Sequence, residues 1–288
     1  LDAGKVTLGE FITETYWPYK ARKISDTTKK QYRSLYERHV YGTISSVPLR
    51  ELSTRTLLEW QTDVEEELPA PSLIKLMTFL QGALSHAVKC DELQANPMRE
   101  LDKPKQVQKL APTPLSPTEI EAIRSRMDHR DATITAVLGY AGLRPGELNR
   151  LTWEDIGEKQ IRVASGKTGR ERFAILLPPV KQDLDSWRMQ SGAREGLVFS
   201  GFDLRNWRKR IWKPAFHDAE IIGKDVPYRL RSSCVSLLLS DNSYTLGAIA
   251  LSMGHSLEVM SSYYYGIINE FQGKGVDASN EILKARAA

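Results

Sequence analysis

Between residues 96 and 115 the chain carries Pro97, Pro104, Pro112 and Pro114, with no apolar period among them. Proline lacks a backbone N–H and clashes with the preceding turn, so no helix or interior strand runs through such a stretch. The residues between are polar and basic, among them Lys103, Lys105, Gln106, Gln108 and Lys109. Residues 97–115 therefore read as a stiffened linker that divides the chain into two lobes. With 288 residues, 41% hydrophobic and 26% charged, there is enough apolar material for a core in each.

Before the linker, apolar residues recur at helical spacing. Thr7-Leu8-Gly9-Glu10 opens a stretch bearing Phe11, Tyr16 and Trp17, and Ser25 offers an N-cap for a helix through Tyr32, Leu35 and Tyr36. Residues 53–67 place Leu57, Leu58 and Trp60 on one stretch. Ser72 is expected to open the longest pattern, Leu73, Leu76, Phe79, Leu80, Leu84 and Ala87. Four helices with short connections predict a small bundle over residues 1–96.

After the linker, Ser116-Pro117-Thr118-Glu119 is a capping box with proline at the first helical position. Residues 131–140 read as a helix stopped by Gly142. Ile161 and Val163, the turn-forming Ser165-Gly166-Lys167-Thr168-Gly169, and the alternating Phe173, Ile175 and Leu177 predict one antiparallel hairpin. Helices resume over residues 180–189, 203–217, 229–239, 246–251 and 257–265. The expected fold class is mainly α with a small antiparallel β-sheet, in two lobes, the second over residues 116–288.

A net charge of +4 says little, but its distribution says more. Lys20, Arg22, Lys23, Lys29, Lys30, Arg33 and Arg38 face only Asp26 and Glu37 in that stretch. Arg205, Arg208, Lys209, Arg210 and Lys213 are interleaved with Trp207 and Trp212. Clustered cations suit a phosphate backbone, and a solvated helix face is the plain alternative. Cys90 and Cys234, each inside an apolar helical pattern, make no disulfide framework, so a reducing, cytoplasmic setting is expected. No apolar run approaches the roughly 18–20 residues of a membrane span, and residues 1–7 lack a secretory pattern. His39, His86, His129 and His217 are scattered without ligand spacing, so no metal site is expected.

Five sites in the second lobe then occur in order. They are Ala141-Gly142-Leu143-Arg144-Pro145-Gly146-Glu147-Leu148, Lys167 in Gly166-Lys167-Thr168-Gly169, Tyr228-Arg229-Leu230-Arg231, Met253-Gly254-His255-Ser256, and Tyr264, nine residues beyond that histidine. Each alone is an ordinary turn, helix stop or aromatic run, and the glycine hairpin lacks the frame of a P-loop. Together they resemble the signature of the tyrosine recombinases, the family of lambda integrase, the Xer recombinases and Cre, over residues 112–270. Where that family usually has His-x-Leu-Arg, this chain has Tyr228, which carries no positive charge near neutral pH.

The resemblance implies a helical core-binding (SAM-like) DNA-binding domain over residues 1–96 and a catalytic domain over 116–288. Arg144 and Arg231 are then expected to hold the non-bridging oxygens of a scissile phosphate, with Glu147 orienting Arg144. Lys167 is the expected general acid, His255 the hydrogen-bond donor to the phosphate, and Tyr228 a further phosphate contact. Tyr264 is the expected nucleophile. Helical periodicity does not choose among Tyr263, Tyr264 and Tyr265; the offset from His255 does. Arg229 reads as a phosphate or surface contact.

A phosphotyrosine bond conserves the energy of the cut strand, so no cofactor is expected. The implied partners are double-stranded core-type attachment sites, contacted by Lys20, Arg22, Lys23, Lys29, Lys30, Arg33, Lys103, Lys105 and Arg208. A homo-tetramer on paired sites is implied too, with a directionality factor or host DNA-bending protein and no membrane, in a bacterial cytoplasm at the nucleoid. The family's C-terminal tails often dock on a neighbouring subunit, which is the expectation for residues 269–288. Its larger phage members carry a further N-terminal domain, expected to be absent or removed here because the bundle begins almost at Leu1. A type IB topoisomerase-like enzyme, or a helical DNA-binding regulator without catalysis, are the rival readings.

Overall fold

The computed structural model describes residues 6–105, 110–164 and 171–288. It divides into two compact units, Leu1–Val107 and Gln108–Ala288.

In the first unit the Thr7 hydroxyl accepts from the Glu10 N–H at 3.2 Å, while the Glu10 carboxylate accepts from the Thr7 N–H at 2.9 Å. This box starts helix α1, which runs from Leu8–Glu10 through a π-turn at Phe11–Tyr16 to Trp17–Ala21. Ser25 caps α2 (Asp26–His39) and Ser53 caps α3 (Thr54–Glu67). Helix α4 spans Ala70–Lys89, so it begins before the Ser72 expected to open it. Pro71 explains the shift: in a first turn its missing N–H costs nothing and its fixed φ suits the helix. The expected stripe, from Leu73 to Ala87, is buried against Phe11, Ile12, Tyr16 and Trp60. Cys90 lies just past α4 and is exposed rather than enclosed in an apolar pattern.

In the second unit α5 (Pro117–Arg124) opens on the predicted capping box, and α6 (His129–Tyr140) leads to Gly142. A short α7 (Pro145–Leu148) precedes β1 (Gln160–Val163) and β2 (Arg172–Ile175), which pair antiparallel with Ile161 opposite Ala174. The inward parity of β2 is the reverse of what the alternation suggested. Ala174 and Leu176 are buried while Phe173 is 50% exposed, because Ile161 needs a small residue across from it on the core face.

Helix α8 (Pro178–Ser191) follows. Helix α9 then runs from Leu204–Trp207 through a π-turn at Arg208–Trp212 to Lys213–Asp218. Helix α10 (Arg229–Ser240) is buried along its whole length. Its serines allow this, since Ser233 and Ser240 satisfy their hydroxyls on the carbonyls of Arg229 and Ser236, each at 2.9 Å. Helices α11 (Leu246–Met253), α12 (Leu257–Tyr263), α13 (Tyr265–Phe271) and α14 (Ala278–Ala287) complete the unit. The stretch expected as one helix over 257–265 is broken at Tyr264.

The tail packs on its own unit. Ala278 and Ile282 are fully buried in the unit's own core, and Arg286 binds Asp183 at 2.6 Å. No helix among the described residues is long and apolar enough to cross a membrane.

Candidate active site

The first arginine box is shaped by close packing. Gly142 has φ +65°, and a Cβ there would lie 2.6 Å from Met253 Cε and 3.0 Å from Cys234 Sγ. Only glycine meets both demands. The chain then turns so that Arg144 precedes α7. The Arg144 N–H donates to Glu147 Oε2 at 2.7 Å, its Nη1 donates to Oε1 at 3.0 Å, and its Nη2 donates to the Gly254 carbonyl at 3.3 Å. Burial pushes the Glu147 carboxyl up, but the Arg172 charge and the bonds from Arg144 outweigh it and hold it below its ordinary value.

Arg231, one turn into the buried α10, is almost wholly enclosed. It donates to the carbonyls of Gly142 and Met253, and its Nη2 lies 3.2 Å from His255 Nε2. A guanidinium has no acceptor, so His255 Nε2 accepts and the imidazole proton is assigned to Nδ1. Burial, with the charges of Arg231, Arg144 and Arg172, lowers the His255 pKa to about 4, so the ring is neutral at neutral pH. His255 is placed by Gly254, whose φ of +65° ends α11.

Tyr264 sits in the break between α12 and α13, at φ −100° and ψ 16°. It is 0% exposed, its ring centroid 5.5 Å from that of His255. Burial drives its pKa well above the ordinary phenol value, against the pull of Arg231. Tyr263 is half-buried, and its carbonyl accepts from Ala111 at 2.8 Å, whereas Tyr265 is 61% exposed. Of the three tyrosines, Tyr264 is the one enclosed with His255 and Arg231. Tyr228 is half-buried and close enough to both Tyr263 and Tyr264 to oppose their ionisation.

Four buried polar atoms of this cluster, Arg172 Nε, Arg231 Nε, His255 Nδ1 and the Tyr264 hydroxyl, have no hydrogen-bond partner among the described residues. Lys167 lies outside the described residues. Arg229 departs from its expected role: it is buried, donates to the Thr113 carbonyl at 2.9 Å, and lies 5.7 Å from the Phe216 ring centroid. Its neighbours are backbone carbonyls and an aromatic face, which fixes it as a packing residue.

Arg172 went unnoticed in the sequence. It faces inward with Ala174 and carries a charge at a core-facing position. The parity of β2, read correctly, is the signal that marks it.

The proposed DNA contacts fall in different places. Lys20, Arg22, Lys23, Lys29, Lys30 and Arg33 belong to α1, α2 and their connection, and Lys103 and Lys105 to the end of the first unit. All are exposed except the half-buried Lys20 and Lys29. Lys29 is paired with Asp26 at 2.8 Å, and Lys23 donates to the Tyr19 hydroxyl at 2.8 Å. Arg208, on α9 of the second unit, shares Asp225 with Lys213 and His217 at 3.8, 3.2 and 3.6 Å. Among the described residues no group of three or more His, Cys, Asp or Glu side chains is arranged to hold a metal ion.

The Phage integrase family model matches residues 113–268, and the chain belongs to that family of tyrosine recombinases. An integrase of Streptomyces ambofaciens is 25% identical over 268 residues, which cover 80% of this chain and 69% of that protein. An integrase assigned to prophage phiRv2 of Mycobacterium tuberculosis is 28% identical over 168 residues, 55% of this chain. The chain spans only 43% of the length of the phiRv2 protein. In fold, the chain is similar to lambda integrase(75-356), solved as a dimer bound to a COC' core site. The TM-score is 0.73 at 16% identity, covering 94% of this chain and 98% of that one.

Proposed function

We propose that this protein is a site-specific DNA recombinase that cuts and rejoins strands through a 3′-phosphotyrosine bond on Tyr264, integrating or excising a mobile element. The observation that carries the reading is the meeting of Arg144, Arg231, His255 and Tyr264 in one basic cluster, where Arg231 Nε and His255 Nδ1 lack partners among the described residues. A phosphodiester is anionic, and attack at phosphorus adds charge to its non-bridging oxygens. Fixed guanidinium donors in a water-poor site are the strongest means of stabilising that charge.

The Tyr264 oxygen attacks phosphorus, its proton passing to a nearby acceptor as the P–O bond forms. The 5′ oxygen leaves, and Lys167 returns a proton to it. Reversal by another strand's 5′ hydroxyl rejoins the DNA, with no net bond energy lost. Tyr228 touches the phosphate without contributing charge. The first unit grips the duplex through its basic helices, and Lys103, Lys105 and Arg208 add backbone contacts. The partners are double-stranded core sites, brought together by four copies of the chain. A directionality factor or a DNA-bending host protein directs the outcome, in the bacterial cytoplasm.

An electrophoretic screen of random duplexes first isolates the bound core sequence. A nicked duplex of that sequence is then incubated with the full chain, expecting a detergent-resistant protein–DNA adduct. Tyr264→Phe should bind DNA as the wild type does and yield no adduct. Loss of the adduct in Tyr263→Phe or Tyr265→Phe, with Tyr264→Phe still active, overturns the assignment.

A further inference from the structure

Strand β2 supplies a buried cation that belongs to none of the five motifs. Arg172 Nη2 donates to Glu147 Oε2 at 2.6 Å, and Nη1 donates to the Ser252 carbonyl. Its stem lies against Gly254, where a Cβ would stand 2.7 Å from Arg172 Cδ. Glu147 Oε2 is also the oxygen that receives the Arg144 N–H at 2.7 Å, while Oε1 receives Arg144 Nη1 at 3.0 Å. One carboxylate thus holds Arg144 by main chain and side chain, and Arg172 holds the carboxylate. On its other side, β2 grips the turn before His255 twice, through Arg172 and through the Ile175 N–H, which donates to Ser252 Oγ at 3.0 Å.

We propose that Arg172 is a positioning residue for strand cleavage, acting through Glu147 on Arg144 and through the 252–254 turn on His255. The proposal rests on the reading of this pocket as the phosphotyrosine-forming site. Three features support it together. The Arg172 side chain is 10% exposed and that of Glu147 12%, so neither charge is offset by water. Arg172 touches both segments that deliver the phosphate ligands. A planar fork bridges a carboxylate and a carbonyl at once, which a lysine ammonium on its flexible stem does not reproduce.

The test uses the full chain and a nicked duplex of the selected core sequence, with single-turnover adduct formation measured at saturating protein. Arg172→Gln should slow adduct formation by about 100-fold, the cost of roughly 1 Å of misplacement at a reacting centre. Arg172→Lys, which keeps the charge and loses the fork, should remain well below the wild-type rate, with DNA affinity unchanged. Because the two residues act as one unit, Arg172→Gln/Glu147→Gln should be no slower than the slower single variant.

A second measurement needs only folded protein. The His255 ring resonances, followed by NMR at neutral pH, should move in Arg172→Lys relative to the wild type, because the charge is kept while the forked tie to the Ser252 carbonyl is lost. Wild-type rates in both Arg172 variants, multiplicative losses in the double variant, or unmoved imidazole resonances overturn the positioning role. If Arg172→Gln does not fold, Arg172→Lys carries both measurements. Absence of any adduct from the wild type overturns the reading of the site instead, and the imidazole resonances still decide whether Arg172 positions the turn.

Discussion

Burial, together with three neighbouring guanidinium groups, makes protonation of the His255 imidazole costly, and this has a measurable consequence for stability. His255 has a pKa of about 4 in the folded chain, against roughly 6.5 when unfolded. Between those values the unfolded chain binds the extra proton and the folded chain does not. Stability therefore falls as pH drops from about 6.5 to about 4. Above that window the group contributes its full share. His255→Gln should flatten this part of the curve of unfolding free energy against pH, and an unchanged slope would show that the ring is not held neutral. The two cysteines offer a second residue-scale check. Cys90 is exposed, whereas Cys234 is fully enclosed and burial pushes its thiol up to about 12. A thiol that stays protonated is a poor nucleophile. Native protein should release one equivalent of thiol to a disulfide reagent and the second only on unfolding, and rapid release of both would contradict the packing around Gly142.

At the scale of elements, the crossing of α1 and α4 depends on the absence of a side chain. A Cβ at Gly82 would collide with the Tyr16 hydroxyl, and Tyr16 is itself 2% exposed. Gly82→Ala should destabilise the first unit by about 1–3 kcal/mol, the usual cost of overpacking a closed core. Chemical denaturation would show it, and an equal or higher midpoint would mean that α1 shifts freely. No reading of periodicity announces this contact, because Gly82 on its own looks like a helix weakness. The elements legible in the chain were those with strong local signals: the capped α2, α3 and α5, the stripe of α4, and the stop at Gly142. Those that were not legible depend on partners distant in sequence. The parity of β2 follows from Ile161 across the hairpin, and the break at Tyr264 follows from enclosing that ring beside His255. The site shows the same division. Arg144, Arg231, His255 and Tyr264 stand in motifs, and the fold brings them together. Arg172 has no motif, and Arg229, inside one, is turned away to Thr113.

For the molecule as a whole, the two hydrophobic cores share no residue: one is built from Leu8 to Leu101, the other from Leu115 to Ile282. The second core includes its own C-terminal helix, and every described residue of that core lies within 108–288. That fragment should fold alone, cooperatively, with Cys234 still protected from reagent. Ile282 closes this core from the last helix and is fully buried, and Arg286 ties the same helix to Asp183 at 2.6 Å and to Glu121 at 3.6 Å. Ile282→Ala should therefore cost the fragment about 2–5 kcal/mol, the range for emptying a buried aliphatic site. The expected destabilisation is intrinsic to one chain, so it should be independent of protein concentration. If the tail instead completed its core by docking on a second copy, the midpoint of unfolding would rise with concentration and the Ile282→Ala loss would shrink on dilution. A concentration series on the wild type and on Ile282→Ala separates the two cases, and only a flat series agrees with a helix seated on its own unit.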